Sequence, residues 1–234
     1  MKLTLLDMVQ DILSDLNSDA VNTIGETPES MQVANMVRRV YFDLCSVRDW
    51  PFLRTLTALT GLGDTTRPTS MRMPEGMNKL LWVKYNRKEC TWMEPKDFSD
   101  MIGARSVQLG VVDPAGYELT RDPIRWTSYD DDVIVFDAID LAVDNTLYEA
   151  KSTVYGVMTP AWSHTDDFVP LLPDKMFPTL LADAKSTAFL IEKQTPNQKE
   201  EQKAHKGMVR WQNEAWRNDQ AESRTNLNIN YGRK

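Results

Sequence analysis

The chain has 234 residues, enough for one large domain or for one domain with a second inserted into it. Hydrophobic residues make up 41% of it, which suffices for a core and excludes a wholly disordered chain. The net charge of −7, unevenly spread, argues against a general nucleic-acid binder, which would carry a dominant basic patch.

Residues 1–50 hold 8 acids against 4 bases, residues 51–170 hold 18 against 12, and residues 171–234 reverse the balance with 8 against 11. An acidic body with a basic end suggests that the two ends meet different partners. No apolar run approaches the roughly 20 residues that span a bilayer, so no membrane partner is expected. The acids Asp7, Asp11 and Asp15 recur through the opening segment, which therefore reads as a folded helix and not as a leader. Cys45 and Cys90 have neither metal nor redox spacing and read as two reduced thiols.

The first helix starts at Thr4, with Asp7 in a capping-box position. Its apolar stripe is Leu5, Leu6, Val9, Ile12, Leu13 and Leu16. Thr27-Pro28-Glu29 begins the second, because proline at the first helical position gives up only an orphan donor. Val33, Met36, Val37, Val40, Tyr41, Leu44 and Val47 form its buried stripe. Trp50-Pro51 ends it, since proline turns the preceding residue away from helix.

Short apolar or alternating runs follow between Gly, Pro, Asn and Asp, at residues 55–60, 69–73, 79–86, 117–120, 124–128, 133–136 and 146–154. Their regular spacing predicts an antiparallel sandwich or small barrel. PKDFSDMI, residues 95–102, reads as a helical turn within it. Helix returns after Pro173, with a stripe of Phe177, Leu181, Ala184, Ala188 and Ile191. Thr195-Pro196 breaks and restarts it, the threonine as cap, and Ala204, Met208, Trp211 and Ala215 form the last stripe. The expected fold is therefore α+β. Residues 1–52 and 171–222 form an antiparallel helical bundle, residues 53–170 an inserted antiparallel β-sandwich or barrel-like domain, and residues 223–234 an extended C-terminal arm.

No residue set makes a persuasive active site. Asp130, Asp131 and Asp132, with Asp137, Asp140 and Asp144, could offer oxygen ligands to a hard cation. The run lacks the glycine and terminal glutamate of an EF-hand loop, so turn and loop acids are the better reading. His164 with Asp166 and Asp167 resembles an acid–base fragment but lacks a visible nucleophile. Gly61-Leu62-Gly63 leads into neither a helix nor a lysine and reads as a loop, not a phosphate cradle. No catalytic, cofactor or metal residue is therefore expected. Trp50, Pro51 and Phe52 are expected to form a structural junction, because large rings bury about 150–250 Å² each. In the tail, Asn226-Leu227-Asn228-Ile229-Asn230-Tyr231 alternates polar and apolar side chains as a docked arm would.

Three pieces occur in a telling order. They are Arg48-Asp49-Trp50-Pro51-Phe52-Leu53, then Met73-Pro74-Glu75-Gly76 before Leu80-Leu81-Trp82-Val83, then Phe168-Val169-Pro170-Leu171-Leu172-Pro173 before the returning helix. Over most of residues 1–222 this order resembles the head-to-tail adaptor (connector) family of short-tailed bacteriophages, the tail tubular protein A or head-completion proteins. The resemblance implies a non-enzymatic virion protein at the head–tail junction, passing through the host cytoplasm during assembly. It implies a homo-oligomeric ring, usually of twelve copies, below the portal protein and above a tail nozzle or tail tubular protein. Genomic double-stranded DNA would pass through the channel without sequence-specific binding. The tail residues Arg224, Leu227, Ile229, Tyr231, Arg233 and Lys234 would dock on the portal. The rivals are another tail-side ring, gatekeeper or nozzle component, a metal-dependent hydrolase using the Asp-rich loop, and a peptide- or glycan-binding module needing an exposed aromatic groove.

Overall fold

A computed structural model describes residues 2–64, 67–108, 117–130, 132–140 and 151–226. The chain forms two compact units, one of Met1–Leu53 with Pro160–Lys234 and one of Arg54–Thr159.

The first unit is helical. In α1 (Leu5–Asp15) the Asp7 N–H donates to Thr4 Oγ1 at 3.1 Å, and the Thr4 N–H donates to Asp7 Oδ2 at 3.0 Å. The reciprocal pair satisfies two donors that a helix start otherwise leaves open. In α2 (Pro28–Ser46) Thr27 and Ser30 make the same exchange. Two further α1 donors are met from far along the chain. Leu5 N–H donates to the Phe168 carbonyl at 2.7 Å and Leu6 N–H to that of Asp166 at 3.2 Å. The Asp166 side chain also accepts from the Ile24 N–H at 2.9 Å, so a segment with neither helix nor strand is pinned on both sides.

α4 (Phe177–Glu192) packs on α1, α2 and α5 (Gln198–Asn226). Lys185 of α4 reaches both Asp11 and Asp15 of α1, at 2.9 and 2.6 Å. α4 and α5 approach closely at Gly207, where an added Cβ would lie 2.3 Å from Thr179 Oγ1. The buried stripe of α4 is Phe177, Leu180, Ala184 and Ala188, with Leu181 only half-buried and Ile191 exposed. Val47, expected in the α2 stripe, is exposed as well. Thr195 does not cap α5; Asn197 Oδ1 accepts the Glu200 N–H at 3.3 Å instead. α5 runs 29 residues, about 43 Å. Among the described residues no helix is long and apolar enough to cross a membrane.

Among the described residues the second unit is one eight-stranded sheet in the order β1-β8-β4-β5-β6-β7-β3-β2. The strands are β1 (Arg54–Ala58), β2 (Thr60–Gly61), β3 (Ser70–Arg72), β4 (Met77–Tyr85), β5 (Lys88–Trp92), β6 (Arg125–Thr127), β7 (Val133–Phe136) and β8 (Ser152–Met158). Only Leu59 separates β1 from β2, yet they are the two ends of the strand order, so the sheet curls into a nearly closed barrel. Its interior holds Leu59, Met71, Val83, Tyr85, Cys90, Trp126, Ile134, Phe136 and Val154. β5 and β6 run parallel, with α3 (Pro95–Gln108) in the crossover between them. Phe98 and Ile102 of α3 pack with Val135.

These findings overturn the expected α+β fold, a helical bundle carrying an inserted antiparallel β-sandwich or barrel-like domain. The protein is mixed α/β, with, among the described residues, a nearly closed eight-stranded sheet and five α-helices. The parallel pair demands a crossover, and residues 95–102 belong to that crossover helix and are more than an isolated turn. β5, KECTW, escapes the alternation rule because only Cys90 of it is buried. Residues 117–120 contribute two isolated bridges, Glu118 to Ala138 and Thr120 to Asp140, and no full strand. α5 continues past Glu222 through Arg224 to Asn226, so helix occupies the start of the expected extended arm.

One position carries the geometry of the central strand pair. The β4 register with β8 shifts between Met77 and Lys79 and again between Leu80 and Trp82. This brings the Lys79 carbonyl over Gly156, where an added Cβ would lie 2.4 Å from that oxygen and 2.8 Å from Met77 Sδ. Gly156→Ala should therefore cost about 1–3 kcal/mol through forced backbone movement. Urea unfolding would show a lower midpoint with an unchanged slope. An unaltered midpoint would mean that the strands part freely there.

Candidate functional site

The helical unit presents a buried ring junction and, beside it, several exposed apolar side chains. Trp50-Pro51-Phe52 enters a 3-10 turn, Pro51–Leu53, closed by the Leu53 N–H on the Trp50 carbonyl at 3.0 Å. The buried Trp50 indole donates from Nε1 to the Leu44 carbonyl at 2.9 Å, meeting an acceptor that the end of α2 leaves open. Its ring stacks on Phe52 with centroids 6.0 Å apart. Beside this pair lies a groove of about 400 Å³, walled also by Met176, Trp211 and Ala215 and edged by Asp174, Lys175 and Glu214. Trp211 is held by its Nε1 donating to Thr179 Oγ1 at 3.3 Å.

A second, more open recess of about 650 Å³ lies where α2 ends against α5. Val47, Arg48, Gln212, Asn213 and Trp216 line it, and Arg48 Nη1 donates to the Gln212 carbonyl at 3.3 Å. Trp216 is 56% exposed and Val47 47%. Leu190 and Ile191 of α4 and Val209 of α5 are exposed too. Large apolar side chains grouped at a surface mark an interaction site, whereas scattered ones do not.

Among the described residues the acids do not converge on one point. Asp137 is fully buried. Its Oδ1 accepts the Ile124 and Arg125 N–H groups, both at 2.9 Å, and its Oδ2 accepts from Arg121 at 2.9 Å and Arg105 at 3.1 Å. Burial opposes its charge, but the backbone donors of Arg125 and Ile124 and the Arg121 guanidinium outweigh it and hold the carboxyl below its ordinary value. Asp130 Oδ1 caps a turn by accepting the Val133 N–H at 2.9 Å. Asp140 sits in the bridge to Thr120. Asp131 and Asp144 lie outside the described residues. Among the described residues no three His, Cys, Asp or Glu side chains are grouped to hold a metal ion.

Asp166 is occupied in the helical clasp, and the His164 ring meets Trp162 edge-on at 5.8 Å. Gly61 belongs to β2. Cys45 and Cys90 are free and buried, and burial pushes each thiol up to about 11. Among the expected tail residues, Arg224 falls within α5, while Leu227, Ile229, Tyr231, Arg233 and Lys234 lie outside the described residues. Sequence reasoning missed Trp216 and assigned Val47 to the core. The signal available was that Trp216 departs from the Ala204–Trp211–Ala215 spacing.

No protein-family model matches this chain, and no curated protein matches it.

The Asp137 cluster yields a pH prediction. A carboxyl depressed by the fold contributes stability that is present above its unfolded value of about 3.9 and lost as pH falls through its lower folded value. Asp137→Ala should cost about 3–5 kcal/mol at neutral pH, because two guanidinium groups lose their buried partner. Asp137→Asn should flatten the acid limb of stability measured by urea unfolding between neutral and strongly acid pH. An Asn variant with the parent's acid limb would assign that limb to other carboxyls.

Proposed function

We propose that this chain is a structural protein of a bacteriophage virion, a subunit of a head-to-tail adaptor ring below the portal. The observation that carries the reading is the exposed Trp216–Val47 recess, with Leu190, Ile191 and Val209 also uncovered on the same unit. An isolated soluble subunit gains nothing from exposing these side chains, whereas contact with neighbouring subunits would bury them. The order of the Trp50-Pro51-Phe52 turn, the Leu80–Val83 stretch and the Pro170–Pro173 approach to α4, which resembles the adaptors, supports the same reading.

In this reading the helical unit supplies the contacts between copies. The basic tail, from Arg224 through Leu227, Ile229 and Tyr231 to Arg233 and Lys234, engages the portal. A tail nozzle or tail tubular protein lies on the other side of the ring. The double-stranded genome passes through the centre, and the net charge of −7 keeps phosphate from adhering to the wall. The chain acts by assembly and not by catalysis, with its place in the virion and, before that, in the host cytoplasm.

Electron microscopy of the protein mixed with its portal should show rings seated on the portal, while light scattering of the free protein should give a monomer. A stable small dimer indifferent to added portal would sink this version. Deleting residues 225–234 should abolish portal attachment with the circular dichroism of the fold retained; normal attachment would refute the arm. Trp216→Glu should weaken ring formation at least about tenfold, since a charge replaces a buried anchor.

A further inference from the structure

The outer face of the β unit carries a feature that a scaffold does not need. Strand alternation sends Val83, Tyr85 and Val154 into the core and Trp82, Lys84, Thr153 and Tyr155 outward. Register then aligns Leu56 of β1, Tyr155 of β8 and Trp82 of β4 in one row. The Trp82 and Tyr155 rings stack with centroids 5.3 Å apart, Lys84 Nζ lies 4.3 Å from the Trp82 centroid, and Leu56 is 60% exposed. At the end of this row the Asn86 N–H donates to the Lys151 carbonyl at 3.0 Å, bringing the β4–β5 turn against the start of β8. The result is a recess of about 490 Å³ whose described lining includes Lys84, Arg87 and Lys151 and no carboxylate. Glu89, opposite Lys84 in register, borders it.

The turn supplies an independent observation. Asn86 and Arg87 both adopt positive φ, 46° and 68°, as the two-residue hairpin requires. Asparagine suits the first position, but glycine is the unstrained residue at the second, and arginine there carries the Cβ penalty of the left-handed region. Backbone strain retained in this way points to a use for the side chain.

We propose that this face binds single-stranded nucleic acid, with phosphates on Lys84, Arg87 and Lys151 and a base against the Leu56–Tyr155–Trp82 row. Cations beside aromatic rings on a sheet face supply the two interactions that such strands require, charge for the backbone and π surface for the base. A recess of this size takes an unpaired base, whereas the bases of a duplex are already stacked and paired. The face is local, in a chain of net charge −7, so binding is steeply weakened by salt. The inference stands apart from the adaptor reading, because an isolated subunit can be tested without portal or ring.

The test is fluorescence anisotropy of a short labelled oligothymidylate with the full-length protein at low salt, beside a duplex of equal length and a polyglutamate peptide. The oligothymidylate should bind, and the logarithm of its binding constant should fall with the logarithm of salt with a slope of about −2, for three phosphate contacts. Lys84→Gln with Lys151→Gln should weaken binding at least about tenfold, and Tyr155→Leu at least about fivefold. Arg87→Gly separates function from folding: it should weaken binding while leaving the melting temperature equal or higher. Absence of oligothymidylate binding, equal affinity for the duplex or the acidic peptide, or binding unchanged in the double lysine variant would each overturn the proposal.

Discussion

The first turn of α1 is where the helical unit closes. Its N–H groups have no partners within the helix, and the chain meets those of Leu5 and Leu6 with the carbonyls of Phe168 and Asp166, supplied from beyond the whole β unit. An orphan donor buried without a partner costs about 1–3 kcal/mol, so this junction selects the conformation of the returning segment. The Asp166 carboxylate extends the tie to Ile24, 142 residues away in sequence. Once that segment is placed, α4 follows directly, and Lys185 can settle between Asp11 and Asp15. A helix end thus does the work that a covalent cross-link does in smaller folds.

The β unit solves a different problem with the same economy of polar groups. Closing a sheet leaves little room where strands are bulged, and Gly156 is the residue that lets β4 lean over β8. The crossover that the parallel pair requires returns past the buried Asp137, whose two oxygens gather donors from the β6 approach, Arg121 and Arg105. A lone carboxylate in that position would be expelled or neutralised. With four donors it becomes the point that fixes the crossover to the sheet.

Surfaces follow from these interiors. Because α5 approaches α4 through Gly207 and buries Trp211, the stripe that includes Ala204 and Ala215 is consumed, and Trp216 is left to solvent. Because strand alternation fills the barrel with Val83, Tyr85 and Val154, the intervening Trp82 and Lys84 must stand outside. The helical unit therefore offers apolar contact, and the sheet offers a cationic aromatic face. These are chemically distinct surfaces, and they suit different kinds of partner.

Much of the secondary structure was legible in the sequence, and the caps show why. Thr4 with Asp7, and Thr27 with Pro28, act within one turn, so their spacing along the chain is their spacing in space. Most of each apolar stripe in α1 and α2 was readable for the same reason, with Leu6 only half-buried and Met8 buried in addition, and so were the strand residues 79–85 and 133–136. The candidate surface was legible only in part: Trp50 and Phe52 stood out as large rings beside a proline, while Val47 was indistinguishable from its buried neighbours. Tertiary structure alone decided that β5 pairs in parallel with β6, that Asp137 among many acids is the buried one, and that Gly156 faces a carbonyl. It also decided that Asn86 pairs with Lys151. Each of these depends on which distant segment lies alongside, and neither helical periodicity nor strand alternation carries that information. Sequence by itself determined where the chain turns, caps and alternates; the choice of partner across long separations belonged to packing and to the satisfaction of buried polar groups.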